Sequence, residues 1–403
     1  MTPSPPSKLA MSFTEFVLLA SMATVIGALS TYIVLPALSQ ISLDMGLEDI
    51  SLSQAIISFY LMGFGASQLI FGPLSDSLGR KYVLLAGLSI FILASVLSSV
   101  SNDFSILLAA RFLQGIGAGA GRVISMSMIR DRYSGSELGR ALSCVTLAFS
   151  LFPVLAPLMG QAILLTAGWR WIFSLLVIVG LIVSVWAAAR LDETLNPEHR
   201  RPFSIQTFTA AQKKIFSTRL TATCIVVLGL TLANNYAFIG LSHQIIDELF
   251  DARDLFASLF GFIAAMLALA ALINTWLLKH WGIRTVAQST LVAALVLNSI
   301  YLICALLHWI SLPVFIALQA ASMFLFGLTM PNLYALALEP VADVAGTASA
   351  VIGFLITILG ATLGFLIGQL FSDSLLPIAT AYFLLSALAL CSVLLAQRRR
   401  KTH

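Results

Sequence analysis

Charged side chains are scarce in this sequence: 22 Lys and Arg and 18 Asp and Glu among 403 residues, against 59% hydrophobic ones. So few polar groups cannot solvate a water-soluble globule of this size, which leaves a membrane as the solvent. Cysteine is scarcer still. Cys144, Cys224, Cys304 and Cys391 stand singly inside apolar runs, a spacing that suits neither a disulfide framework nor a thiolate metal site. Also missing are His-Glu-x-x-His, Gly-x-Ser-x-Gly and any Cys/His cluster, so nothing points to an enzyme, and no cofactor or metal is expected. Repeated pore loops and charged rings, the marks of a channel, are absent too.

What the sequence does have is long apolar runs. A hydrocarbon core of roughly 30 Å takes about 20 residues of helix. Twelve stretches of that order can be marked, near 12–37, 52–73, 81–100, 105–128, 138–165, 170–190, 219–242, 257–278, 286–307, 313–337, 346–371 and 375–396. Runs such as Leu176 to Ala189 are apolar on every side, unlike the alternating strands of a barrel. The expected fold is all-α, a polytopic membrane protein of twelve transmembrane helices. The first run is too long for a secretory signal and has only Lys8 as a positive charge ahead of it, so it reads as an uncleaved helix.

Charge placement orients these runs. With the N-terminus in the cytoplasm, eighteen of the 22 basic residues fall in cytoplasmic segments; Arg170 and Arg253 lie opposite, and Arg111 and Arg122 lie inside the fourth run. That bias follows the positive-inside rule and puts both termini in the cytoplasm, in a plasma (inner) membrane. The net charge of +4 then reflects topology, and no nucleic-acid partner is expected. The longest hydrophilic stretch, Leu191 to Ser217, divides the runs into six and six. The expected division is a bundle at 1–190, a cytoplasmic linker at 191–218 and a second bundle at 219–403. Lys279, Gly282 and Arg284 follow the eighth run as Gly79, Arg80 and Lys81 follow the second, an echo that fits two parallel repeats around a midplane site.

Five features carry chemistry. Between the second and third runs, Gly72-Pro-Leu-Ser-Asp76-Ser-Leu-Gly79-Arg80-Lys81 offers a glycine for a tight turn and a carboxylate suited to a helix N-terminus, worth roughly 0.3 to 1 kcal/mol. A charged turn serving topology alone is the plainer alternative. In the fourth run, Arg111 and Arg122 differ by only about 20° around the helix and lie roughly 16 Å apart. An arginine in the bilayer costs at least ~2.5 to 3.5 kcal/mol, so either this face lines a solvated cavity or each guanidinium reaches to its nearer interface. Pro153 and Pro157 bend the fifth run, as a static kink or as a hinge. Asn234, Asn235, Tyr236, Asn332 and Tyr334 cluster in the seventh and tenth runs, as interhelical hydrogen bonders or as substrate contacts. Glu15 and His243 are the acid and imidazole nearest a span end, where they either carry a proton or sit at headgroup level.

Three motifs resemble the major facilitator superfamily: the loop from Gly72 to Lys81, Arg111-Phe-Leu-Gln114-Gly115, and the Pro153 to Gly160 pattern typical of antiporters. Leu29-Ser-Thr-Tyr-Ile-Val-Leu-Pro-Ala37, Gly168-Trp-Arg-Trp-Ile-Phe173 and Met330-Pro-Asn332 through Ala345-Gly-Thr-Ala-Ser-Ala350 resemble its bicyclomycin and chloramphenicol resistance branch. The resemblance implies two six-helix bundles and proton-driven export of drugs or other small molecules by alternating access. It implies a cytoplasmic latch of Gly72, Asp76, Gly79, Arg80 and Asp131, with Arg80 paired to Asp131 and Asp76 at the start of the eleventh helix near Gly346. A hinge at Pro153, Pro157 and Gly160 is implied too. The expected substrate cavity comprises Tyr32, Arg111, Gln114, Arg122, Asn234, Asn235, Tyr236, Asn332 and Tyr334. Two positions depart from the pattern: Tyr32 stands where that branch carries a carboxylate, and Gly160-Gln161 where antiporters carry paired glycines. The expected partners are a small-molecule substrate, protons and the bilayer, with the chain a monomer. The alternative is a voltage- or proton-driven exporter of an anionic metabolite or metal chelator, because an anion leaving a negative interior gains about 2.3 kcal/mol per charge per 100 mV.

Overall fold

Every long apolar run becomes a helix. The computed structural model describes residues 11–47, 50–195, 212–371 and 374–398. Lys8, Arg200, Arg201 and the basic tail from Arg399 to Lys401 lie outside the described residues, as does most of the expected linker. The first half holds α1 (Phe13–Tyr32), α2 (Gln54–Leu78), α3 (Arg80–Val100), α4 (Phe104–Arg132), α5 (Gly135–Ala167) and α6 (Arg170–Arg190). The second holds α7 (Arg219–Gln244), α8 (Phe256–Trp281), α9 (Ile283–Leu306), α10 (Leu312–Leu338), α11 (Ala345–Gly368) and α12 (Leu376–Arg398). Among the described residues there is no strand, and twelve helices are long and apolar enough to cross a membrane.

Local chemistry sets the ends. Ser12 Oγ accepts from the Glu15 N–H at 3.2 Å and starts α1, and Asp103 does the same for α4 through the Ile106 N–H at 3.0 Å. The first run extends beyond its expected limit. At Pro36, which lacks an N–H, α1 gives way to a 3₁₀ turn at Leu35–Ala37, and a short helix at Leu38–Asp44 carries the chain onward. Gly79 (φ +105°) joins α2 to α3 and Gly282 (φ +72°) joins α8 to α9, both in a backbone region that favours glycine. They stand 203 residues apart (282 minus 79), so the echo in sequence is an echo in geometry.

Packing repeats with the same period. In the first half α1 packs on α4 and α5, α2 on α4, and α3 on α4 and α6. Adding six to each label gives the second half: α7 on α10 and α11, α8 on α10, and α9 on α10 and α12. The two bundles meet through α2 on α11 and α5 on α8, pairs that interchange under the same operation. Glycine permits the close approaches: a Cβ on Gly115 would stand 2.0 Å from the Tyr60 carbonyl oxygen of α2, and one on Gly121 2.2 Å from that of Ala23 in α1. Arg80, Arg130, Arg132, Arg190, Arg219 and Arg284 all fall at helix ends on one face, called the basic face below.

Candidate functional site

The two arginines of α4 share a stripe but not a setting. Arg111 is 0% exposed inside the first bundle. Its Nε donates to the Ile56 carbonyl at 3.2 Å, Nη2 to the Ser30 carbonyl at 3.1 Å and Nη1 to Gln114 Oε1, while the guanidinium lies 4.4 Å from the Tyr60 ring centre and 5.8 Å from that of Phe173. Gln114 in turn donates to Ser95 Oγ at 2.6 Å. The expectation that Arg111 and Gln114 line a cavity is therefore corrected. Carbonyls and rings replace water around the cation, and the group ties α1, α2, α3 and α4 together.

Arg122, ten residues or about 15 Å from the end of α4, is exposed. Its guanidinium lies 5.0 Å from the Phe149 ring centre of α5 and 5.9 Å from that of Phe64 in α2. Tyr236 of α7 and Tyr334 of α10 lie within range of its charge across the seam between bundles. Helices cross as they descend, so one stripe of α4 is enclosed at one depth and open to the seam at another.

The other expected cavity residues divide. Tyr32 lies in the seam, its ring 5.9 Å from Phe260 of α8 and close to Tyr236. Tyr334 donates to the Ser349 carbonyl of α11 at 3.1 Å. Asn332 does not face the seam: it is buried and donates to Asn274 Oδ1 of α8 and to the Leu328 carbonyl, each at 2.7 Å. Asn234 and Asn235 line a polar chamber of about 40 Å³ inside the second bundle, together with Asn298 and Ser386. That space has room for a few water molecules. A single apolar sequence cannot reveal which polar side chains a bundle keeps for its own interior.

Polar seam contacts between α2 and α11 run from the face opposite the basic one to mid-helix. Gln54 Nε2 reaches the Gly368 carbonyl at 3.4 Å and Gln68 Nε2 reaches Thr357 Oγ1 at 3.4 Å, both between α2 and α11. Nearest that face, His243 of α7 is buried, with Nδ1 3.2 Å from Ser39 Oγ of the first half, its ring 4.8 Å from Phe256, and Nε2 without a partner among the described residues. Toward the basic face, a Cβ on Gly72 would meet nothing within 4 Å. Glu15 is otherwise engaged: both carboxylate oxygens accept from Arg190, each at 2.9 Å, with Trp186 Nε1 at 3.4 Å. Through this pair it ties α1 to α6.

At the turn after α2, Arg80 is buried and its Nε donates to Asp131 Oδ2 at 2.9 Å, with Ser75 and Asp76 on Nη1. The described partner of Asp76 is Arg80, and the side chains at the expected second contact, near Gly346, lie outside the described residues. Sequence reasoning missed Glu193, read there as solvated linker. Its carboxylate accepts from the Arg80 N–H at 2.8 Å and the Lys81 N–H at 3.3 Å, capping α3 where Gly79 offers no side chain. A carboxylate just past α6 on the face of an uncapped helix start was the signal. Pro153 and Pro157 sit within a continuous α5, and Gly160 lets it close on α1, where a Cβ would stand 2.0 Å from the Ile33 carbonyl oxygen.

Comparison with known proteins agrees with this geometry. The chain is 29% identical to Multidrug resistance protein D of Escherichia coli over 350 residues, 84% of each chain. It is 26% identical to the Bicyclomycin resistance protein homolog of Haemophilus influenzae over 391 residues, 94% of each. The crystal structure of a D-xylose-proton symporter superposes with a TM-score of 0.74 at 13% identity, covering 96% of this chain and 97% of that one, which speaks for the fold alone. Residues 20–364 match the family model of the Major Facilitator Superfamily. Twelve helices in two like bundles, a glycine-arginine turn in each and this match together make the chain a member of the major facilitator superfamily of membrane transporters.

Proposed function

We propose that this chain is a secondary active exporter that moves drugs or other small molecules out of the cytoplasm by alternating access. Its basic face, by the positive-inside rule, is cytoplasmic, and the membrane is the inner membrane. The observation that carries this reading is Arg122. An exposed guanidinium about 15 Å inside a helix is costly against lipid, so its exposure argues for water in the seam, with Tyr236 and Tyr334 within range of its charge and Tyr32 farther along the same seam. Contacts that close the seam on the far side, and open space at Gly72, support a cleft facing the cytoplasm. Arg80 and its carboxylates would fasten the cytoplasmic side when the cleft turns outward, with α5 bending at Pro153 and Pro157. Relatives named for multidrug and bicyclomycin resistance support drug efflux.

Proton antiport is the coupling we assign, through His243. With Tyr32 in place of an acid in α1, His243 is the imidazole that bridges the two halves at the closed side and keeps one nitrogen unpartnered. Transport in everted vesicles, with pH gradient and voltage imposed separately, tests the proposal. Uptake that answers to voltage alone would overturn proton coupling, and absence of uptake of any resistance-class drug would overturn drug export.

A second reading rests on the same arginine. Among the described residues no carboxylate pairs with Arg122, so the seam carries a net positive charge at its centre. That favours an anionic metabolite or chelator as substrate, expelled by the membrane potential. Competition between a neutral drug and an organic anion in the same vesicles separates the two.

A further inference from the structure

The second bundle is hollow where the first is filled. At the basic face α7, α9, α10 and α12 enclose a cavity of about 510 Å³, rimmed by Arg219 and Arg284 and lined below by Cys224, Leu291, Leu333 and Leu336. That volume is in the range of ligand pockets, roughly 300 to 1,000 Å³, and far exceeds the water chamber deeper in the same bundle. The matching place in the first bundle, between α1 and α6, is occupied by the Glu15–Arg190 pair, Trp186 and the buried Met11.

The cavity also opens sideways. A groove of about 420 Å³ between α7 and α12 shares Arg219, Thr223 and Ala396 with it, and its outer residues Val226 and Leu395 are exposed apolar side chains. A lateral opening between two membrane helices faces acyl chains. Its rim lies at the first turns of α7 and α9, the depth of headgroups. Charge completes the description: Arg219 is exposed with no ion pair among the described residues, whereas Arg284 shares its charge with Glu339 at 3.3 Å. An apolar chamber under a guanidinium with no counter-charge among the described residues, entered from the bilayer, suits an anionic amphiphile.

We propose that this cavity holds a phospholipid of the leaflet at the basic face, one acyl chain inserted between α7 and α12 and its anionic headgroup on Arg219. The site is separate from the seam around Arg122 and stands whether or not that seam carries substrate. Native mass spectrometry tests it, on full-length protein exposed to mixed micelles of phosphatidylglycerol and phosphatidylcholine with matched chains. One retained phosphatidylglycerol per chain is expected. Arg219→Gln should reduce its preference over phosphatidylcholine about fivefold, and Thr223→Trp, at the portal, should abolish retention while the protein stays monodisperse. Should Thr223→Trp misfold, Ala396→Phe blocks the same portal from α12. Equal retention of the two lipids, retention that survives a blocked portal, or a cavity that binds a transported drug and no lipid would each overturn the proposal.

Discussion

The backbone N–H of Arg80 donates to Glu193 Oε1 at 2.8 Å, across 113 residues of sequence. One carboxylate thereby caps α3 and fixes the end of α6 against the turn that holds Arg80. Glu193→Gln keeps the shape and removes the charge, so it should cost about 0.5 to 2 kcal/mol. A lower melting temperature in detergent and faster hydrogen exchange at the first turn of α3 are the expected results. Unchanged exchange there would show that the cap is dispensable.

Arg111→Ala should fail through folding. It leaves the carbonyls of Ile56 and Ser30 and the amide of Gln114 without their donor, beside a new cavity under Tyr60. A loss of about 3 kcal/mol or more is expected, seen as reduced yield and melting temperature. A protein of wild-type stability that has lost transport alone would return Arg111 to the substrate path.

Arg122→Gln should behave in the opposite way. The side chain is exposed and satisfies no buried acceptor, so stability should stay within about 0.5 kcal/mol of wild type. Transport of an anionic substrate should fall at least tenfold, measured as initial uptake into vesicles. Full transport in this variant would remove the charge from the mechanism.

His243→Phe retains a ring against Phe256 and removes the imidazole that meets Ser39. Uptake driven by a pH gradient should disappear while any uptake driven by voltage persists. Glu15→Gln provides the contrast. Its pair with Arg190 is partly exposed, 25% and 39%, so the change should cost less than about 1 kcal/mol and leave the pH response intact.

Much of this fold could be read from the chain before any coordinates. Apolar run length gives the twelve helices, the distribution of arginine gives a basic face, and Gly79 and Gly282 mark the repeat. The setting of each polar side chain could not be read in that way. Arg111 and Arg122 lie about 20° apart on one helix, yet the neighbours that decide their fates come from α1, α2, α3 and α6 in one case and from α2 and α5 in the other. Asn234 and Tyr236, two residues apart, turn to a bundle interior and to the seam. Periodicity gives the face of a helix; which helix covers that face depends on crossings set by glycines such as Gly115 and Gly121, whose partners lie far away in sequence. Glu193 was obscure for a related reason, since a carboxylate in a hydrophilic stretch looks solvated until the uncapped turn it serves is beside it.

The two glycine turns are alike in backbone and unlike in grip. After Gly79, Arg80 is 8% exposed and held by carboxylates from α2 and α4. After Gly282, Arg284 is 54% exposed and its described partner, Glu339, is 56% exposed, an attachment worth about 0 to 1 kcal/mol. Twin parts thus have one bolted corner and one slack corner. Under heat the slack corner should loosen first, so hydrogen exchange at the first turn of α9 should outrun that at the first turn of α3.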